Sequence, residues 1–507
     1  MTRALLKWGK RWLYLAHRWL GIVTCLLFVT WFVSGLVMMY VDFPSLTETE
    51  RRGSLPRLAW DEVVVTPGEA LEAAGQLRFP RDLRLAMLDG EPVYRIVGWD
   101  GGQATVSATR RRLITGIDAG QALAIARHDR RVTRPRLLGE IDRDQWSVTA
   151  RYDPLRPFHL IALGDPEDTR LYVSARTGEV ALDTTGRERF WNWFGAIPHW
   201  VYLTPLRAQA ALWRDVVLWV SGIAIASAVS GLWVGLLRVR LRRPYASGSV
   251  SPYRGWAALH HVGGLVGGLT LLTFVASGWL SMNPNRWFGA RAPSQAMLER
   301  FAGVTEARWG QDFAALRAAA CPDAVEVRFG WFGGEPRAIV ACRDGSTSAW
   351  ATPTITGLVK AAGRLLPDAA IREAALLTEE DAYWYSHHQP RRLPVLRVKF
   401  ADADATWFHL DPETGEVLNR ADRSSRTYRW LFNAAHSFDF RLLVKNRPAW
   451  DVVLWLLCAA GLIISVSGVV IGWRRLGLTR VRRSGALSIV PKGGHRLSEK
   501  DDADTGG

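Results

Sequence analysis

Four histidines in this chain stand at matched positions, and the matching decides what chemistry they can do. His17 lies in HRWLG and His260 in HHVGG, while His199 lies in IPHW and His436 in AAHS. A neutral imidazole is a strong ligand for iron and other transition metals, and two imidazoles facing one another offer both axial donors to one centre. Gly21 and Gly264 each follow a histidine by four residues. That spacing puts a bare patch on the same helical face, where a flat group can approach.

The elements that must position these residues are apolar spans. Gly21–Tyr40, Asp215–Leu237, Leu259–Met282 and Asp451–Trp473 are each long enough to cross a bilayer, which takes about 20 residues. The expected fold is an α-helical integral membrane protein with four transmembrane helices in two pseudo-symmetric halves, plus exported α+β domains. The net charge of +16 does not point to nucleic acid. Residues 1–18, 238–254 and 474–483 each hold five Lys or Arg and no acidic residue, so 15 of those charges flank spans on one side. Both termini and the middle loop are therefore expected in the cytoplasm. The expected organisation is 1–42 (N-terminus and first span), 43–205 (exported region), 206–237 (second span), 238–258 (basic loop), 259–282 (third span), 283–448 (exported region), 449–473 (fourth span) and 474–507 (tail). No cleavage site follows the first apolar run, which reads as a retained span. Cys321 and Cys342 share an exported loop, where a disulfide staple is expected.

The chain is one unit used twice. A shift of 243 places His17 on His260, Gly21 on Gly264, Ser34 on Ser277 and Gly35 on Gly278. A shift of 237 places RTGEV at 176–180 on ETGEV at 413–417, Trp193 on Trp430, His199 on His436, and VSG at 229–231 on VSG at 466–468. Such parallel repeats are related by a pseudo-twofold axis along the membrane normal. Helical patches followed by alternating strands with a Thr-Gly-Glu turn describe small α+β modules, and residues 94–111 read as a further degenerate copy.

Symmetry sets like against like. His17 faces His260 toward the cytoplasm and His199 faces His436 toward the outside, at levels about 38 Å apart for a 25-residue span. Two facing imidazoles with apolar walls suit a b-type haem, so two bis-histidine haems are expected. Gly263, Gly267 and Gly268 extend the smooth face of the third span, and Trp191, Trp193 and Trp430 are candidate walls for the outer haem. His261 is the weaker ligand candidate, rotated about 100° from His260. An electron moving outward is helped by about 2.3 kcal/mol per 100 mV.

HRWLG opening the first span, paired TGEV modules, histidines before spans two and four and SG closing the spans resemble the PepSY-associated transmembrane family, over nearly the whole chain to about residue 480. The resemblance implies an inner-membrane haem reductase of ferric siderophores, with His17, His260, His199 and His436 matching the family's recurrent histidines. One electron releases iron because iron(II) binds hard oxygen donors weakly. Arg207, Arg441 and Lys445 are candidates for docking the ferric siderophore, and His387–His388 could catch iron. No G-x-G-x-x-G fingerprint is present, so a quinol or a separate cytosolic reductase must supply electrons. Two other readings stand beside this one: a non-redox membrane-anchored module that binds peptides or proteases, and a quinol-linked or haem-handling transporter.

Overall fold

The computed structural model describes residues 2–485 apart from 77, 305, 307–308, 310–312, 351 and 388–389, so His388 and the tail beyond 485 lie outside the described residues. Four long helices dominate: α1 (Thr2–Met38), α2 (Ala210–Arg238), α3 (Trp256–Ser281) and α4 (Arg447–Gly485). Each is long and apolar enough to cross a membrane. None carries an interior proline; Pro448 sits in the first turn of α4, where no N–H is needed. Helix α1 begins well before Gly21, so His17 lies in mid-helix rather than at a start.

The helices pack in a ring, α1 on α2, α2 on α3, α3 on α4 and α4 on α1. Phe28, Phe32, Ala224, Ala228, Leu271, Val275, Cys458 and Ile464 fill the centre. Gly461 lets the Phe32 ring lie flush on α4, because any Cβ there would occupy the ring's own space. The repeat-related Val23 and Val266 are 72% and 78% exposed on the outer surface, so the two halves present the same face outward.

Among the described residues, the segments between α1 and α2, and between α3 and α4, form three antiparallel sheets. The first half supplies β1 (Asp82–Leu88), β2 (Glu91–Val97), β3 (Gln103–Ser107), β4 (Leu113–Ile114), β5 (Arg136–Ile141), β6 (Phe158–Ala162), β7 (Arg170–Ser174) and β8 (Val180–Thr184). The second supplies β9 (Ala324–Phe332), β10 (Glu335–Cys342), β11 (Thr347–Trp350), β12 (Ile371–Leu377), β13 (Val395–Phe400), β14 (Trp407–Leu410) and β15 (Val417–Ala421). Strands β5 to β8 and β12 to β15 make two matching four-stranded sheets. Gly178 and Gly415 take φ of +67° and +66° in the expected Thr-Gly-Glu turns. The stretch 94–111 supplies most of the β2–β3 hairpin, part of a seven-stranded sheet ordered β11-β10-β9-β1-β2-β3-β4. That sheet is shared: β1 of one half pairs with β9 of the other. Cys321 and Cys342 are disulfide-bonded, tying the approach to β9 onto the end of β10. Among the described residues the one group with metal-ligand spacing, Cys321, Asp323 and Cys342, contains this disulfide.

An ionic lock holds the shared sheet. Glu326 on β9, 1% exposed, accepts two hydrogen bonds from Arg51 at 2.7 and 2.9 Å, with Arg52 at 3.5 Å and Arg84 of β1 at 3.6 Å. Arg51 is placed by the short helix Glu48–Gly53, which starts on a Thr47–Glu50 capping box. Burial alone would raise the Glu326 carboxyl, but the Arg51 charge and hydrogen bonds, with Arg84 and Arg52 behind them, win and push it down to about 2. Removing the carboxylate takes the shared buried counter-charge from Arg51, Arg52 and Arg84 and leaves them only Glu48, Asp82 and Glu179, so Glu326→Gln is expected to cost about 3 kcal/mol in denaturant unfolding. The depressed pKa gives the sign of the pH effect. The lock contributes fully above the ordinary carboxyl value of 4.5 and is lost as pH falls toward 2. The wild-type advantage over Glu326→Gln should therefore shrink across that window; an advantage that stays constant there would remove this carboxylate from the account.

Candidate functional site

"Outer" here denotes the bundle end beside the sheets, and "inner" the end beside the α1 N-terminus. The two outer histidines reach the bundle on short helices. Thr185 caps the helix Gly186–Asn192 and Asp422, 237 positions later, caps Arg423–Tyr428. After Gly186–Asn192 the chain turns at Gly195, which lies against Val37 of α1, and the helix Ala196–His199 presents His199. In the second half a π-helical turn, Arg429–Ala434, precedes His436. Such turns recur at functional sites. Phe432 occupies the position of Gly195 and lies over the His436 ring, with centroids 5.1 Å apart.

Each of the four histidines rests in the same kind of seat. His199 Nδ1 lies 3.2 Å from the Trp31 carbonyl and 3.0 Å from Ser34 Oγ. His436 Nδ1 lies 3.1 Å from the Phe274 carbonyl and 3.0 Å from Ser277 Oγ. His260 Nδ1 lies 3.0 Å from the Ile464 carbonyl and 3.1 Å from Ser467 Oγ. His17 Nδ1 lies 3.4 Å from Ser230 Oγ, with Ser227 as its backbone partner. In every seat the serine is three residues after the carbonyl, and the next residue is glycine: Gly35, Gly278, Gly468 and Gly231. A Cβ on these glycines would stand 3.4, 3.4, 3.3 and 2.7 Å from the Cε1 of the seated imidazole.

The seat fixes the tautomer. A carbonyl only accepts, so Nδ1 carries the proton and donates, and Nε2 keeps its lone pair. Metal-bound histidines characteristically use the second nitrogen this way. Each histidine is seated within its own half, on α2 or α4 for the inner ones and on α1 or α3 for the outer ones. The halves then meet imidazole to imidazole.

His17 and His260 have ring centroids 6.2 Å apart, and His199 and His436 have theirs 6.1 Å apart. Two imidazoles bound end-on to one metal at about 2 Å, with about 1.1 Å from nitrogen to centroid, would stand about 6 Å apart. Both pairs fit that spacing. The outer pair borders a cavity of about 520 Å³, walled by residues such as Phe28, Trp31, Phe274 and Leu271. That size is typical of cofactor sites. A Cβ on Gly21 or Gly264 would meet nothing within 4 Å.

Other expectations are corrected. The two levels are nearer than about 38 Å, because the short helices carry His199 and His436 down to Ser34 and Ser277. Along α1, His17 and Ser34 are 17 residues apart, about 26 Å. Gly263, Gly267 and Gly268 do not smooth a plate-binding face; they admit Ile463, Ala460 and Leu232 of neighbouring helices. Trp191, Trp193 and Trp430 do not line the outer cavity, whereas Trp31, Trp200, Trp213 and Trp450 do. Trp213 and Trp450 are repeat partners, each donating its indole N–H to the residue after an outer histidine, Trp200 or Ser437, at 2.9 Å. His261 is not a ligand in this arrangement: both nitrogens are taken, by Ser251 Oγ at 2.9 Å and the Gly235 carbonyl at 3.1 Å.

Of the docking candidates, Arg207 stacks over Trp213 and Tyr202 at the cavity wall. Arg441, 3.7 Å from Glu379, and Lys445 are exposed on the approach to α4. His387 lines the outer cavity and pairs with Asp439 at 3.0 Å. The seats themselves went unread in the sequence, although the repeated Ser-Gly dipeptides carried the signal. No protein-family model matches the chain, and no curated protein matches it.

Proposed function

We propose that this chain is a bacterial inner-membrane protein that holds two b-type haems, one per leaflet, and passes electrons from a cytoplasmic reductase or the quinol pool to an acceptor outside. The observation that carries the reading is the pair of imidazole couples at 6.2 and 6.1 Å, each imidazole with Nδ1 committed and Nε2 free. His17 with His260 would hold the inner group, and His199 with His436 the outer one. Haem held by these residues would supply reversible one-electron chemistry.

The residues do the rest. The Ser-Gly seats hold each ring at one rotation, the apolar wall of Phe28, Phe274 and Leu271 excludes water, and the ring packing of α1 to α4 holds the members of each couple together. Basic flanks at one end set the expected orientation, so that the sheets lie outside. The substrate class that suits a one-electron donor at that face is a ferric siderophore, whose hard oxygen donors release iron once it is reduced. Arg207, stacked on Tyr202 and Trp213 of the outer cavity wall, and the exposed Arg441 and Lys445, which follow His436 in the chain, would meet an anionic complex there.

Purified protein reduced with dithionite should show a b-type spectrum with two haems per chain, and His17→Ala and His199→Ala should each retain one. A haem-free protein would overturn the reading. Adding a ferric siderophore to the reduced protein should reoxidise it as iron(II) appears; no reoxidation would remove the substrate while leaving the haem assignment. The seats separate two glycine variants. Gly231→Ala forces a methyl within 2.7 Å of His17 and should lower haem retention at the inner couple, about 10- to 100-fold in affinity, whereas Gly35→Ala places its methyl at 3.4 Å and should be tolerated.

A further inference from the structure

A second cavity, about 190 Å³, lies where the two halves share their sheet. It is bordered by Arg81, Asp82 and Trp99 from the first half and by Arg328, Arg337 and Glu416 from the second. Three cations thus meet two carboxylates. Both carboxylates are already engaged: Arg328 stands 3.4 Å from Asp82 and 3.1 Å from Glu416.

Arg337 is different. Its Nε and Nη1 are buried without a hydrogen-bond partner, and so is the Trp99 indole nitrogen. Arg328 Nε also lacks a hydrogen bond but has Asp82 at 3.4 Å; buried donors without acceptors are rare and costly, so the other three around the cavity need an explanation. Burial pushes the Arg337 guanidinium down to about 10, which leaves it charged at neutral pH. The rest of the wall is apolar, with Phe79, Phe301 and Phe329 prominent. The unmet groups are all donors, one of them a planar cationic fork, which is the complement of a carboxylate. The volume is below the range for drug-sized ligands and leaves room for one ring or a short chain.

We propose that this cavity is a binding site for a small organic carboxylate with a compact apolar or aromatic body, its oxygens taken by Arg337 and the Trp99 N–H. The site is independent of the histidine couples. It draws both halves onto one ligand, so occupancy should stabilise the shared sheet.

Calorimetry and tryptophan fluorescence on the full detergent-solubilised chain test it, with benzoate as the probe, and benzamide and inorganic phosphate as the comparisons. Benzoate should bind saturably at one site per chain and raise Tm. Benzamide, lacking the charge, and phosphate, lacking the ring, should each bind at least about tenfold more weakly, as should Arg337→Gln toward benzoate. Trp99→Phe keeps the ring and loses only the donor, so weaker binding there tests the geometry even where Arg337→Gln fails to fold. No saturable benzoate binding, equal binding of benzamide, or wild-type affinity in Trp99→Phe would overturn the proposal. Phosphate binding as tight as benzoate would overturn the organic body.

Discussion

An imidazole placed in an apolar bundle must find a partner for its N–H, since water cannot supply one and an unmet donor there costs several kcal/mol. The solution in this chain is local and used four times. A helix carbonyl accepts the histidine Nδ1–H, sharing its outward side with the serine hydroxyl that also donates to it. Serine one turn later adds a second contact, and glycine after it leaves room for the ring. Everything else at the bundle centre follows from these seats: which nitrogen is free, which way each ring points, and why the helices can approach so closely at those points.

The seats explain why the two halves need one another. A half of the chain, α1 with α2 or α3 with α4, seats two histidines at two depths but leaves each Nε2 facing an empty side. Packing the halves around a pseudo-twofold axis supplies the opposite imidazole at both depths at once. The sheet region binds the halves a second time, through β1 on β9 and the buried Glu326 between Arg51, Arg52 and Arg84. Two interfaces far apart along the chain thus fix one axis, and a small tilt at either would spread an imidazole couple.

Internal repetition made the four histidines and the helical spans legible in the sequence, because identical residues at one offset must share an environment. The Ser-Gly seats were visible as matches but not as chemistry, since serine and glycine in an apolar helix read equally well as close helix packing. Gly263, Gly267 and Gly268 show that second meaning. The depth of His199 was misjudged because a four-residue helix, Ala196–His199, turns the chain back toward α1, and so short an element has no periodicity to read. The fused sheet was illegible for a different reason. β1 and β9 are about 240 residues apart, and strand alternation alone does not name a partner.

The departures from symmetry are as informative as the symmetry. At the inner couple the histidines and the Ser-Gly residues match, His17 with His260, Ser230 with Ser467, Gly231 with Gly468 and Gly21 with Gly264, while their flanks differ: Ser227 stands for Ile464, Arg18 for His261 and Cys25 for Gly268. At the outer couple the seats still match, but the surroundings do not. Gly195 faces Phe432, and the His387–Asp439 pair, buttressed by Tyr385 at 2.8 Å from Asp439, stands where the first half has Ala150 and Tyr202. A duplicated unit begins with two equal halves, and a conduit running along the axis gains nothing from making them unequal. Inequality has a use where the path ends and one side must be opened to a partner that is not itself twofold. The divergence at the outer cavity falls at the end the proposed acceptor must reach.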